Sequence, residues 1–236
     1  MTDLPIDIIL PDLVAALGRH GRAVLQAPPG AGKTTRVPLA MLKAGLTTGK
    51  IILLEPRRLA ARAAAERLAE SLGEVPGQTV GYRMRGENQP GSRIEVVTEG
   101  ILTRMIQSDP ALTGIGAVIF DEFHERSLNA DLGLALAWES RAVLRPDLIL
   151  LVMSATLDAA PVAAMLDDAP VITSRGQSYP VTTHFLDTVL PKTTRLPQAA
   201  ADLVVRAVQE TTGGLLVFLP GEGEIRRVAS YLAGLP

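Results

Sequence analysis

Five short apolar runs constrain this chain more than any other feature: AVLQA at 23–27, IILLE at 51–55, IEVVT at 94–98, AVIFD at 117–121 and LILLVMS at 148–154. They are rich in Val, Ile and Leu and lack strict apolar–polar alternation, which is the pattern of parallel strands buried on both faces. Helical patterns lie between them. RRLAARAAAERLAESLG at 57–73 is Ala-rich and closes on Gly73, and SLNADLGLALAWESRAVL at 127–144 is stopped by Pro146. Strand, helix and strand repeated in this way predict an α/β domain around a mostly parallel sheet flanked by helices. With 47% hydrophobic and 20% charged residues the chain can fill such a core, so a mainly disordered polymer is excluded.

After Thr173 the texture changes. SRGQSYPVTTHFLDTVLPKTTRLPQ carries three prolines and reads as a connector with one strand at 181–186. A helix at 197–210, a strand GLLVFL at 214–219 and a helix at 222–233 follow. One strand and two helices cannot bury a sheet on both faces. The division expected is therefore 1–173 as a complete domain and 174–236 as a connector with the incomplete start of a second α/β domain.

Other classes fall away on composition. Cysteine is absent, which removes disulfide scaffolds, thiolate zinc sites and cysteine nucleophiles. The N-terminus has no basic region and breaks its apolar stretch at Asp7 and Pro11, unlike a signal peptide. The run from Leu148 is far below the roughly 20 residues of a membrane helix. A soluble, cytoplasmic protein without membrane partners is expected. A net charge of −2 excludes a strongly basic nucleic-acid arm but leaves room for a local basic groove.

The sharpest local signal is the segment Ala27-Pro28-Pro29-Gly30-Ala31-Gly32-Lys33-Thr34-Thr35, placed between the first run and a helix. Gly30 and Gly32 let backbone N–H groups curve around phosphate oxygens where a Cβ would obstruct. Lys33 supplies charge to the β and γ phosphates, and the Thr34 hydroxyl is a ligand for Mg2+. The positive end of the following helix adds attraction. Ala27 stands where the strict pattern has Gly, and a small residue suffices there. The plain alternative is a glycine turn with no ligand. A second signal ends the run AVIF: Asp121 at a strand end would hold Mg2+, and Glu122 would orient and deprotonate an attacking water. A bare acidic pair can also be a helix start favoured by the dipole.

DEFH at 121–124 resembles the D-E-x-H box of the DEAH group of superfamily 2 helicases, and further segments agree in order. Glu55-Pro56-Arg57-Arg58 is similar to the group's P-R-R segment, Val80 to Arg85 to V-G-Y-x-I-R, and Thr98 to Leu102 to T-E-G-x-L. Ser154-Ala155-Thr156 matches S-A-T. Gly176 to Val181 resembles G-R-x-Y-P-V with Gln177 in place of Arg, and Leu216 to Gly221 resembles the opening of the second domain. The loop P-P-G-A-G-K-T-T, the Phe of DEFH and the opening LPIDIILPDLVAAL are most similar to a bacterial branch.

The resemblance implies two RecA-like domains, the second only begun, and an ATP-dependent RNA helicase that hydrolyses ATP with Mg2+. It assigns residues 30–35 to the triphosphate, Glu122 to the hydrolytic base, and His124, Ser154 and Thr156 to coupling between nucleotide and domain movement. Arg67 would stack on the adenine. Arg57, Arg58, Thr98, Glu99 and Gly100 would line a track for single-stranded RNA, with DNA also possible. The group lacks a glutamine-based adenine reader, so other nucleoside triphosphates should serve too. Each residue has a plainer role open to it: His124 as a core histidine, Ser154 and Thr156 as helix caps, the arginines as solvated helix residues. A nucleotide-switched RNA-binding or scaffold module without unwinding is the competing function. A P-loop enzyme unrelated to nucleic acid fits the ordered segments less well. Because the arginine-bearing motifs of the second domain are not in these 236 residues, this chain alone is expected to hydrolyse nucleotide poorly.

Overall fold

The computed structural model describes residues 4–155, 159–175, 180–186, 189–190 and 194–233. The chain divides into two units, Met1–Tyr179 and Pro180–Pro236. The first is built on the strands β1 Arg22–Gln26, β2 Lys50–Leu54, β3 Val80–Met84, β4 Glu87–Gln89, β5 Ile94–Val97, β6 Ile115–Phe120, β7 Ile149–Ser154 and β8 Val171–Thr173. They form one sheet in the order β4-β3-β5-β2-β6-β7-β1-β8. Every pairing is parallel except the edge hairpin β3–β4.

Two cores explain why the central strands read as continuous apolar runs. Ala23 and Leu25, Ile51 and Leu53, Ala117 and Ile119, and Leu151 and Met153 point to one face. There they meet the helices α1 Leu10–His20, α2 Lys33–Lys43 and α3 Arg58–Ser71. The intervening Val24, Ile52, Leu54, Val118, Phe120, Leu150 and Val152 point to the other face. They pack on α4 Glu99–Ser108, α5 Leu128–Val143 and α6 Ala159–Met165. The period of two is intact, but both faces are dry.

The second unit is described by itself. It holds α7 Leu196–Glu210 and α8 Glu222–Ala233, packed on one another. Among the described residues the segments expected as strands at 181–186 and 214–219 join no ladder. A strand needs a neighbour to take its N–H and C=O groups, and among the described residues of this unit no strand supplies one. At the end of the first unit Ser174 still belongs to the sheet region, donating its N–H to the Gln26 carbonyl at 2.8 Å.

Candidate functional site

The carboxyl ends of β1, β2, β6 and β7 converge, and the loops leaving them carry most of the chemistry. This is where an open parallel sheet receives its ligands. After β1 the chain turns through Pro28–Gly32 into α2. Gly30 and Gly32 have φ of 77° and 95°, a region that suits residues without a Cβ. A Cβ on Gly30 would meet open space, so that side of the turn is free for a ligand, whereas one on Gly32 would stand 2.5 Å from Leu4 Cδ1. The loop is backed by the short 3-10 turn Pro5–Ile8: the fully buried Ile6 gives its N–H to the Ala31 carbonyl at 3.2 Å. The Ala27 N–H ties the start of the loop to the Ser154 carbonyl at 2.9 Å.

The two signals that are far apart in sequence meet here. Lys33 Nζ donates to Glu122 Oε1 at 2.8 Å, and Thr34 Oγ1 donates to Asp121 Oδ2 at 2.5 Å. Lys33 and Asp121 are almost fully buried, at 4% and 3% exposed. Burial pushes the Asp121 carboxyl up to about 6 against the opposing pull of the Thr34 hydroxyl and Lys33, with Glu122 adding to the rise. Asp121 also accepts the Glu122 N–H at 2.8 Å. That contact accompanies a left-handed backbone at Glu122, φ 48° and ψ 34°, strained for a non-glycine residue and held by its side-chain partners. The acidic pair is thus no ordinary helix start. Glu122 precedes the 3-10 turn Phe123–Glu125, which ends on a second left-handed residue, Arg126, at φ 45°.

Glu55 completes the site and was visible in the sequence only as the first residue of a motif. It follows β2 in the same register as Asp121 follows β6, since Leu54 pairs with Phe120. Leu54 and Phe120 face one core, so the next residue of each strand turns to the opposite face, toward α2. Glu55 is 5% exposed. Burial pushes its carboxyl up to about 8, with Asp121, Glu122 and Glu125 raising it and Lys33 lowering it.

His124 faces the end of β7: its Nδ1 lies 3.4 Å from the Ala155 N–H and 3.3 Å from Glu122 Oε2. The amide can only donate, so toward Ala155 the Nδ1 atom accepts. The expected partner Ser154 is fully buried at the end of β7, while Thr156 lies outside the described residues. Arg57 and Arg58 open α3, exposed, and each is ion-paired: Arg57 with Glu125 at 2.6 Å and Arg58 with Glu87 at 3.0 Å. Thr98 stands at the N-cap of α4 with Glu99 and Gly100 in the first turn, Gly100 exposed. Arg67 lies on the exposed side of α3 with Glu70 at 3.5 Å, apart from the phosphate loop's polar contacts.

The donor set suits a magnesium nucleotide. A hydroxyl and a carboxylate in contact beside an open glycine turn are hard oxygen ligands of the kind Mg2+ takes. Among the described residues no group of three or more His, Asp or Glu side chains could hold a metal by itself. A Mg2+ that keeps waters and phosphate oxygens needs no such group.

A family model described as DEAD/DEAH box helicase matches residues 11–165. The ATP-dependent RNA helicase HrpB of Escherichia coli (strain K12) is 54% identical over 235 residues, which cover 99% of this chain and 29% of that protein. The ATP-dependent RNA helicase HrpA of the same organism is 36% identical over 236 residues, covering 98% of this chain and 18% of HrpA. The human ATP-dependent RNA helicase DHX30 is 34% identical over 256 residues, covering 97% and 21%. A crystal structure of the Escherichia coli DEAH/RHA helicase HrpB superposes with a TM-score of 0.89 at 54% identity, over 98% of this chain and 29% of that one. The chain therefore spans less than a third of the length of these relatives.

Proposed function

The chain belongs to the DEAD/DEAH box helicase family, and from that premise we propose that its first unit is the nucleotide-binding RecA-like domain of an ATP-dependent RNA helicase working in the cytoplasm. The second unit is the start of the partner RecA-like domain. The observation that carries the proposal is the meeting of Lys33 with Glu122 and Thr34 with Asp121, four residues from two distant motifs closed into one polar cluster at the sheet's carboxyl edge.

In this reading Ala27, Pro28, Pro29, Gly30, Ala31, Gly32, Lys33, Thr34 and Thr35 form the cradle. Backbone N–H groups and the start of α2 attract the phosphates, and Lys33 leaves Glu122 for the β and γ oxygens. Thr34 and Asp121 would hold Mg2+, which supplies charge neutralisation on the phosphates. Glu122, released from Lys33, takes a proton from water. The water oxygen bonds to the γ phosphorus as the bond to the β-phosphate oxygen breaks, releasing diphosphate nucleotide and phosphate. His124 stands between Glu122 and the β7 end at Ser154 and Ala155, a position from which it can pass the nucleotide state along. Arg57, Arg58, Thr98, Glu99 and Gly100 form the single-stranded RNA track, gripping phosphates without reading bases. Arg67 covers the base, and nucleoside triphosphates other than ATP are accepted.

The test is hydrolysis of ATP by the full-length protein, with and without single-stranded RNA. Stimulation by RNA and displacement of a paired strand are expected. Hydrolysis indifferent to RNA would leave a nucleotide-switched binding module as the better account.

A further inference from the structure

The short turn that carries Glu122 is braced by side chains on every side. It runs from Asp121 to Arg126, closed by the Glu125 N–H on the Glu122 carbonyl at 2.9 Å and the Arg126 N–H on the Phe123 carbonyl at 3.2 Å. Left-handed residues at both ends, Glu122 and Arg126, store backbone strain that only the surrounding contacts sustain. Those contacts are Thr34 on Asp121, Lys33 on Glu122, Arg57 on Glu125, and Asp131 on Arg126 at 3.0 Å with Arg126 over the Phe123 ring at 5.5 Å. Three of the four braces join the turn to its own neighbourhood or to the phosphate loop. The fourth reaches Arg57, the first arginine at the start of α3. It is also half-open to solvent, with Arg57 70% and Glu125 34% exposed.

We propose that the Arg57–Glu125 pair is an RNA-displaceable brace, which holds the Glu122 turn in its resting arrangement until a strand phosphate takes Arg57 away. This rests on the assignment of Arg57 to the RNA track. A guanidinium cannot keep both partners in one geometry, and an exposed pair is weak enough for a phosphate to replace. Released, Glu125 no longer pulls its end of the turn toward α3, and Glu122 is freer to leave Lys33. Binding of RNA and the poise of the base are thereby one equilibrium. By linkage, nucleotide that draws Lys33 from Glu122 must also ease RNA binding.

The experiment compares ATP hydrolysis against the concentration of a single-stranded oligouridine in the full-length protein, for Glu125→Gln, Arg57→Gln and the charge swap Arg57→Glu/Glu125→Arg. Both single variants lose the brace, so the RNA-free rate should rise about two- to fivefold in each, the scale of an exposed pair. Their RNA requirements should move in opposite directions. Glu125→Gln frees Arg57 and lowers the half-saturating RNA concentration. Arg57→Gln raises it and flattens the salt slope of RNA binding by about 0.7. The swap re-forms an ion pair at this place, so its RNA-free rate should fall below that of either single variant while its RNA affinity stays weak. If Glu125→Gln changes neither the RNA-free rate nor the half-saturation, the brace does not exist. If Arg57→Gln leaves RNA affinity and salt slope untouched, the track assignment fails instead.

Discussion

Replacing Glu55 by Gln should stabilise the protein at neutral and alkaline pH and change little in acid. The carboxyl is buried beside Asp121 and Glu122, and its pKa is pushed from an ordinary 4.5 to about 8. A raised folded-state value means the folded chain binds the proton more tightly than the unfolded one. Its contribution is therefore fully present below pH 4.5 and is lost as pH climbs through 8. At 1.36 kcal/mol for each pH decade between the two values, the loss between pH 5 and pH 8 comes to about 3–4 kcal/mol. Gln has the same shape and no proton to lose, so its variant keeps that stability. Asp121, raised to about 6, acts with the same sign but in a lower window, from 3.8 to about 6, and burdens both proteins alike. The assay is urea unfolding at pH 5, 6, 7 and 8, followed by the fluorescence of Trp138, the single tryptophan, which lies in α5 of the first unit. With a slope of about 2 kcal/mol per molar urea, the midpoint gap between variant and parent should widen by about 1.5–2 M from pH 5 to pH 8. Parallel stability curves across this range would show that Glu55 ionises as a solvated carboxyl does, and the account of the buried acidic corner would be wrong.

Other perturbations separate the roles of the remaining residues. Glu122→Gln should bind nucleotide with affinity within a few-fold of the parent while single-turnover hydrolysis falls about 10²- to 10⁴-fold, the worth of a general base; retained turnover would remove Glu122 from that role. Lys33→Ala removes a charged contact to phosphate, so fluorescent-nucleotide titration should show about 10- to 100-fold weaker binding. Ile6→Ala empties a fully buried position behind the phosphate loop and should cost about 2–5 kcal/mol in urea unfolding and weaken nucleotide binding as well. Ile8→Ala, at a site 83% exposed, should do neither.

What the sequence reveals of the fold follows from where each strand sits. β1, β2, β5, β6 and β7 are buried on both faces and therefore legible as apolar runs, and α3 and α5 are marked by their stops. β3 and β4 are not, because Gly81, Arg83 and the polar Glu87-Asn88-Gln89 belong to an edge hairpin with solvent beside it. GLLVFL reads as a strand on composition, yet a strand exists only where a neighbour completes its ladder. The candidate site divides the same way. Gly30, Lys33, Thr34, Asp121 and Glu122 were legible because phosphate and metal chemistry demands those residue types in a fixed local order. Glu55 and Glu125 were not, since their importance comes from the register of β2 against β6 and from a contact spanning 68 residues.

Leu4 and Ile6 crowd the place a Gly32 side chain would take, and the Ile6 N–H ties Ala31 from behind. The stiffness of the nucleotide cradle is thus partly set by residues that no motif contains. Altering Leu4 or Ile6 therefore amounts to mutating the cradle itself. Affinities measured on such derivatives would differ from those of the parent even with every motif residue intact.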